Sequence, residues 1–306
     1  MKKIILVALA AVGLAACATE DTIVTPKGNA IAFGDAFVDN ATKAIYGEDG
    51  KMVDSFQVWG TVTGNNNTVL IYDGADVNRK KANEADKNYG EAWYCDVVRY
   101  WTPSCSYAFT AIVDATSVTP ANGSMPTAIN YTADGEKDLL YSTATATTTA
   151  AATPSVTDGI VAFSMNHLLA KMYFDVTSTL ESPYTIEVKS ISVTGFQNKG
   201  IYTINGGTWA KDGDVANLTL NFENGAKVFI PVEQTLEATI TYDVKFNETV
   251  ISKDVKKTGN INATTPYAEN TAYKVSASIG LNEIQFTTTA LSGFGTPEQN
   301  GTVTIQ

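Results

Sequence analysis

Ala238-Thr239-Ile240-Thr241-Tyr242-Asp243-Val244-Lys245-Phe246 carries an apolar side chain at every even position and a polar one between. Successive side chains of an extended strand point to opposite faces, so the stretch reads as a strand with one face on a core and one toward water. Leu218, Leu220 and Phe222 repeat the pattern upstream. Tyr273, Val275, Ala277 and Ile279 repeat it downstream, with Lys274, Ser276 and Ser278 between them. Tyr107, Phe109, Ala111 and Val113 alternate less cleanly. Turn pairs punctuate the series: Asp49-Gly50, Asp73-Gly74, Asn122-Gly123, Asp134-Gly135, Asn205-Gly206 and Asn224-Gly225. Each can supply the positive φ that a tight hairpin needs. Helical periodicity is scarce. The chain is therefore expected to be all-β, built of antiparallel sandwiches.

Composition shifts at Thr143 to Thr157, an Ala- and Thr-rich run that reads as an exposed loop or linker. Strong patterning resumes at Ile160. The expected organisation is an N-terminal sandwich over 29–157 and a C-terminal one over 158–306. Asp76 to Gly90, rich in Asn, Lys and Glu, reads as a surface loop.

Residues 1–17 stand apart. Lys2 and Lys3 precede an apolar run from Ile4 to Val12, too short for a membrane span, which needs roughly 20 apolar residues. Basic head and short apolar run have the form of a secretory signal. Leu14-Ala15-Ala16-Cys17 then forms a lipobox: small residues admit a signal peptidase, and the Cys17 thiol at the new N-terminus can carry lipid. Residues 18–28 read as a leader, with Ala18-Thr19-Glu20-Asp21 similar to the surface-export signals of Bacteroidales lipoproteins. Beyond Cys17 lie 289 of the 306 residues (306 − 17), enough for two domains. The net charge of −11 is spread along the chain and gives nucleic acid no electrostatic hold.

Cys95 and Cys105 could close a disulfide across a turn near Trp101-Thr102-Pro103, or stand as two half-buried free thiols. With no histidine near them, a metal site is the weaker reading. His167 is the single histidine. If Phe163 to Val176 is one strand, Leu168, Ala170, Met172, Phe174 and Val176 share its apolar face. His167 then lies on the opposite face with Lys171, Tyr173 and Asp175. No nucleophile–base signature accompanies it, and neither calcium-loop nor phosphate-loop spacing occurs. The sequence therefore points to no enzyme, cofactor or metal centre. Trp59, Trp93, Trp101 and Trp209 could stack on sugars, which would suit a lipid-anchored glycan-binding protein. In small sandwiches such rings more often fill cores.

Taken in order, several segments carry a resemblance. Ile31-Ala32-Phe33 and Asn40 to Ala44 follow the lipobox, then Phe56-Gln57-Val58-Trp59-Gly60 and Arg99-Tyr100-Trp101. His167-Leu168-Leu169-Ala170-Lys171, Gly200-Ile201-Tyr202 with Trp209, Ile230-Pro231-Val232 and Tyr273 to Phe286 complete the series. This order resembles the fimbrillin family, the lipoprotein-derived subunits of type V pili in Bacteroidales. The resemblance implies two tandem transthyretin-like sandwich domains and no catalysis. It also implies an outer-membrane lipid-anchored precursor that matures into a cell-surface pilus. A trypsin-like surface protease would cut between Lys43 and Ala44, removing a first strand that contains Ile31, Phe33 and Phe37. Another subunit would then donate a strand, for which the alternating Val303 and Ile305 near the chain end are candidates. That candidate strand is short and follows Pro297 and Gly301, which fits a tip or accessory position. Further implied partners are other pilus subunits and a host or bacterial surface receptor or glycan.

Overall fold

The computed structural model describes residues 29–38, 55–79, 93–213, 217–223, 225–261, 266–280 and 284–291, together with Phe294. In chain order the first nine strands are β1 (Ala32–Val38), β2 (Ser55–Gly64), β3 (Asn67–Arg79), β4 (Trp93–Cys95), β5 (Ser106–Val113), β6 (Ser117–Thr119), β7 (Ala128–Thr132), β8 (Leu140–Thr147) and β9 (Ile160–His167). Then follow β10 (Ala170–Ser178), β11 (Tyr184–Gln197), β12 (Lys199–Thr203), β13 (Thr208–Lys211), β14 (Asn217–Asn221), β15 (Lys227–Phe229), β16 (Leu236–Phe246), β17 (Thr249–Ile261), β18 (Thr271–Ile279) and β19 (Ile284–Leu291). Among the described residues the one helical element is a 3-10 turn at Thr157–Gly159. The expected all-β class holds.

A seven-stranded sheet runs β1-β9-β8-β5-β2-β3-β4. It curls on itself: Ala30, just before β1, bridges Tyr100, just after β4. The concave face closes over Phe56, Val58, Tyr72, Phe109, Ala111, Val161, Phe163 and Met165, all buried. In the C-terminal half, sheet β15-β10-β18-β19 packs on sheet β14-β11-β16-β17. The decisive stretch forms β16, and Ala238, Ile240 and Tyr242 point into the core between those sheets. Its alternation outruns that core: Val244 is half-buried and Phe246 exposed. Asp243 departs from the alternation. It is buried at a bulge, where its Oδ1 accepts the Asp254 amide at 2.8 Å.

Several expectations are corrected. Thr143 to Thr147 belong to β8, between β5 and β9, rather than to a linker. Ala and Thr alternate there, and Ala146 is small enough to sit buried on the concave face. Past the boundary expected at 157/158, β9 still pairs with β1 and β8 and sends Val161, Phe163 and Met165 into the first core. A further sheet, β13-β12-β7-β6, joins strands from both sides of that boundary. Asp76 to Arg79 extend β3, while residues 80–90 of the expected loop lie outside the described residues. Asp73-Gly74 is no hairpin turn. It makes a bulge in β3, where Gly74 (φ +71°) presents its bare Cα to the Trp59 ring. Finally, two of the four sheets are mixed, since β1–β9 and β10–β18 are parallel pairs. Long connections make this geometry accessible.

Candidate functional site

β1 completes the first core from the edge of its sheet. Along one side it pairs with β9, Ala32 opposite Ile160 and Val38 opposite Met165. Among the described residues, only its lead-in is held on the other side. The Ile31 amide donates to Arg99 O at 2.8 Å, the Trp101 amide to Asn29 O at 2.7 Å, and Asn29 Nδ2 to Trp101 O at 3.1 Å. A bulge between Phe33 and Ala36 shifts the register. Next to Phe33, Gly34 lies so near β9 that a Cβ there would stand 2.4 Å from Ile160 Cγ2.

The side chains explain what this strand contributes. Ile31 and Phe33 are both 5 % exposed. The Phe33 ring sits among four others, at centroid distances of 5.3 Å (Tyr72), 5.9 Å (Phe109), 6.1 Å (Phe163) and 6.3 Å (Phe56). Burial holds the Tyr72 phenol well above its ordinary pKa, so this wall of the groove is uncharged. Full burial of such side chains is worth about 1.5–3 kcal/mol each. Lifting β1 away would therefore open an aromatic slot alongside a row of unpaired β9 backbone groups. Of the residues expected in the lost strand, Ile31 and Phe33 line this contact, and the Phe37 backbone lies in β1 opposite Ser164. Cys17, Lys43, Ala44, Val303 and Ile305 lie outside the described residues.

His167 is not on a solvent face. The strand expected over 163–176 is interrupted by Leu168-Leu169, both buried, and His167 ends β9 inside the protein. Its Nδ1 meets Asp138 Oδ2, and its ring stacks on Phe294 at 3.8 Å between centroids with planes 4° apart. Lys171, 3 % exposed, holds its Nζ 5.5 Å from the centre of the same Phe294 ring. Burial raises the Asp138 pKa, opposed by the His167 hydrogen bond and the His167 and Lys171 charges. Burial lowers that of Lys171, opposed by the Asp138 charge. This cluster joins the end of β9 to the loop before β8, and to the segment after β19. Trp209 Nε1 ties in the neighbouring sheet by donating to Leu168 O at 2.8 Å. Asp138 and Phe294 were not legible as partners of His167, because nothing local in Glu136-Lys137-Asp138 or around Phe294 marks a long-range contact.

Cys95 and Cys105 are free thiols, and the structure does not bring them together. Cys95 ends β4 and Cys105 precedes β5, with β3 and β2 between those strands in the sheet. Burial raises the Cys95 thiol to about 11, keeping it protonated at neutral pH. Trp59 and Trp101 are each 3 % exposed. Trp93 packs on Phe56, and Trp209 on Tyr131 and Tyr202. The four tryptophans thus serve packing rather than an open platform.

The sequence matches the fimbrillin-like family over residues 42–291, starting beyond β1. No curated protein matches it. Among solved structures, a candidate cell adhesion protein from Bacteroides uniformis is similar with a TM-score of 0.55 at 12% identity, covering 88% of this chain and 99% of that one. A fimbrial protein from Bacteroides vulgatus is similar with a TM-score of 0.52 at 15% identity, covering 78% and 92%. A candidate cell adhesion protein from Bacteroides ovatus gives 0.52 at 14% identity, covering 85% and 94%. At such identities these structures speak for the fold.

Proposed function

Because this chain belongs to the fimbrillin-like family, we propose that it is a structural and adhesive subunit of a type V pilus, exported as a lipoprotein on Cys17 and assembled by strand exchange. The observation that carries the reading is β1: an edge strand that closes an aromatic core while, among the described residues, most of its length is paired on one side only. Cleavage between Lys43 and Ala44 would separate this strand, with its lipid, from the body of the subunit. The start of the family match at residue 42 fits that division. A strand donated by another subunit would satisfy both the slot and the free β9 edge. Donation from the 302–306 segment, through Val303 and Ile305, makes a head-to-tail contact that does not close and so builds a filament.

N-terminal sequencing of surface-extracted protein tests the first step, with a mature start at Ala44 expected. Recovery of lipidated Cys17 alone, from cells that display the protein, refutes it. For the second step, the processed chain should form ladders that resist SDS in the cold and collapse on boiling. Deleting 297–306 should abolish them. Unchanged ladders in the deletion variant would exclude that segment as the donor.

A further inference from the structure

Every second residue of β9 faces inward: Val161, Phe163, Met165 and His167 are buried, with Ile160, Ala162, Ser164 and Asn166 exposed between them. The first three line the N-terminal core, where the Phe163 ring lies 6.1 Å from that of Phe33 with planes 20° apart. The fourth carries the Phe294 ring, stacked at 3.8 Å. Alternate side chains of a strand share one face and one backbone, and Phe163 and His167 stand about 13 Å apart along it. The seats of Phe33 and Phe294 are thus built on a single element.

The pairing of β9 is lopsided. β1 accompanies it from Ile160 to Met165. Among the described residues β8 meets it only at the other end, Leu140 opposite His167 and Tyr141 opposite Asn166. Just beyond, the Leu168 amide donates to Leu139 O at 3.0 Å. The body of β9 and its end are therefore held by different partners. Losing β1 would leave the strand fastened at the His167 end.

Phe294 reaches that end from the other half. β19 finishes at Leu291, opposite Ala272, and Phe294 then sits in the core that contains Ile112, Ile129, Leu139 and Leu168. Around it Asp138, His167 and Lys171 are all buried. Polar groups at such depth are stable only while their partners stay in place. Displacing the His167 ring would break its bond to Asp138 and its stack on Phe294 together. The seat therefore answers sharply to the position of the strand end.

We propose that β1 and Phe294 are coupled through β9: a seated β1 holds the His167 end in place for Phe294, and loss of β1 loosens the Phe294 seat. Reciprocity follows, since unseating Phe294 must loosen β1 by the same factor. Such a device passes the state of an N-terminal strand to the C-terminal end of the described chain within one molecule. For its use the inference rests on the reading of β1 as a removable strand. The coupling itself needs neither cleavage nor a second subunit.

The test uses the chain from residue 18 onward with Lys43→Ala, so that β1 stays attached. Hydrogen exchange read by mass spectrometry follows two peptides, one spanning 30–38 and one bearing Phe294. Phe33→Ala should speed exchange in the Phe294 peptide about tenfold, and Phe294→Ala should speed exchange across 30–38 by a like factor. His167→Gln, at the link between them, should speed both. Adding Phe33→Ala to it should accelerate the Phe294 peptide little further, because the path is already cut. Ile240→Ala, in the C-terminal core, is the control: it should lower the melting temperature and leave both peptides as they were. Circular dichroism confirms that each variant is folded; should Phe33→Ala fail, Phe33→Leu takes its place. A Phe294 peptide indifferent to Phe33, an effect in one direction only, or a control that reproduces both accelerations would each overturn the proposal. N-terminal sequencing and SDS-resistant ladders test the subunit reading by themselves, so either result can fail while the other stands.

Discussion

The two halves of the molecule close their cores in different ways. In the C-terminal half two sheets face each other, and most side chains of the core come from the inner strands β10, β11, β16 and β18, with edge strands adding single residues such as Phe229 of β15 and Ile261 of β17. In the N-terminal half one sheet curls, and its last gap is filled from β1, an edge strand at the start of the described chain. A core built mainly on inner strands cannot lose one of them without losing the sheet. A core closed by an edge strand can exchange it, because pairing on the far side does not depend on it. The structural difference thus becomes a difference in what each half can do.

The largest test of this contrast is to remove residues 29–38. Ile31 and Phe33 together should contribute about 3–6 kcal/mol of burial, before any strand pairing is counted. The shortened chain should melt at lower temperature, with proteolytic cuts concentrated in β2 to β9 while a fragment from about Ala170 to Leu291 survives. Adding a synthetic 29–42 peptide should restore the melt. Equal loss of protection in both halves would erase the distinction.

His167→Ala comes next, because it strikes the junction rather than either core. It strips Asp138 of a buried partner and Phe294 of its stacking ring. Removing one member of such a buried pair typically costs about 3–5 kcal/mol. Chemical denaturation should show that loss, and both halves should be affected. A loss confined to the N-terminal half would mean that the cluster does not couple them.

Two glycines sharpen the comparison at smaller scale. Gly195 lies at a bulge in β11 with φ +97°, and a Cβ there would stand 2.2 Å from the Thr235 carbonyl oxygen. Gly195→Ala should destabilise by about 2 kcal/mol or more, since backbone cannot move aside and the left-handed region itself disfavours Ala. At Gly34 the obstruction is the Ile160 side chain, itself 40% exposed and able to turn away. Gly34→Ala should cost about 1 kcal/mol, comparable with other forced side-chain shifts. Thermal melts of the two variants, reversed in order, would contradict this account.

The smallest effect is expected at Glu187, which bonds Lys189 and Lys245, both at 2.7 Å. Hydrogen bonds from Lys189 and then Lys245 lower its pKa from 4.5 to about 2. A depressed carboxylate contributes stability that is present above the unfolded pKa and lost as pH falls through the folded one. The contribution should therefore fade between pH 4.5 and about 2, and solvent and salt keep it slight. Glu187→Gln should flatten that part of the melting-temperature profile and leave neutral pH nearly unchanged.

Period-two patterning was enough to place β16, β18 and most of β5, because one wet and one dry face leave a direct trace in residue order. It misled at β8, where Ala and Thr make a strand too bland to distinguish from a linker. It also misled at Asp73-Gly74, where a turn pair serves a bulge beside Trp59. At the candidate site Ile31 and Phe33 were legible as a first strand. The ring of Phe56, Tyr72, Phe109 and Phe163 around Phe33 was not, since those residues come from four other strands.

By itself the order of residues determined the all-β class, the strand faces and the expectation of a lipid-carrying leader. All three are local matters of side-chain alternation or short spacing. Only the tertiary structure decided that β9 belongs to the first sheet, that His167 is buried on Asp138, and that Cys95 and Cys105 stand apart. Each of those depends on which distant strands become neighbours, a choice made by burying many side chains at once and written at no single position.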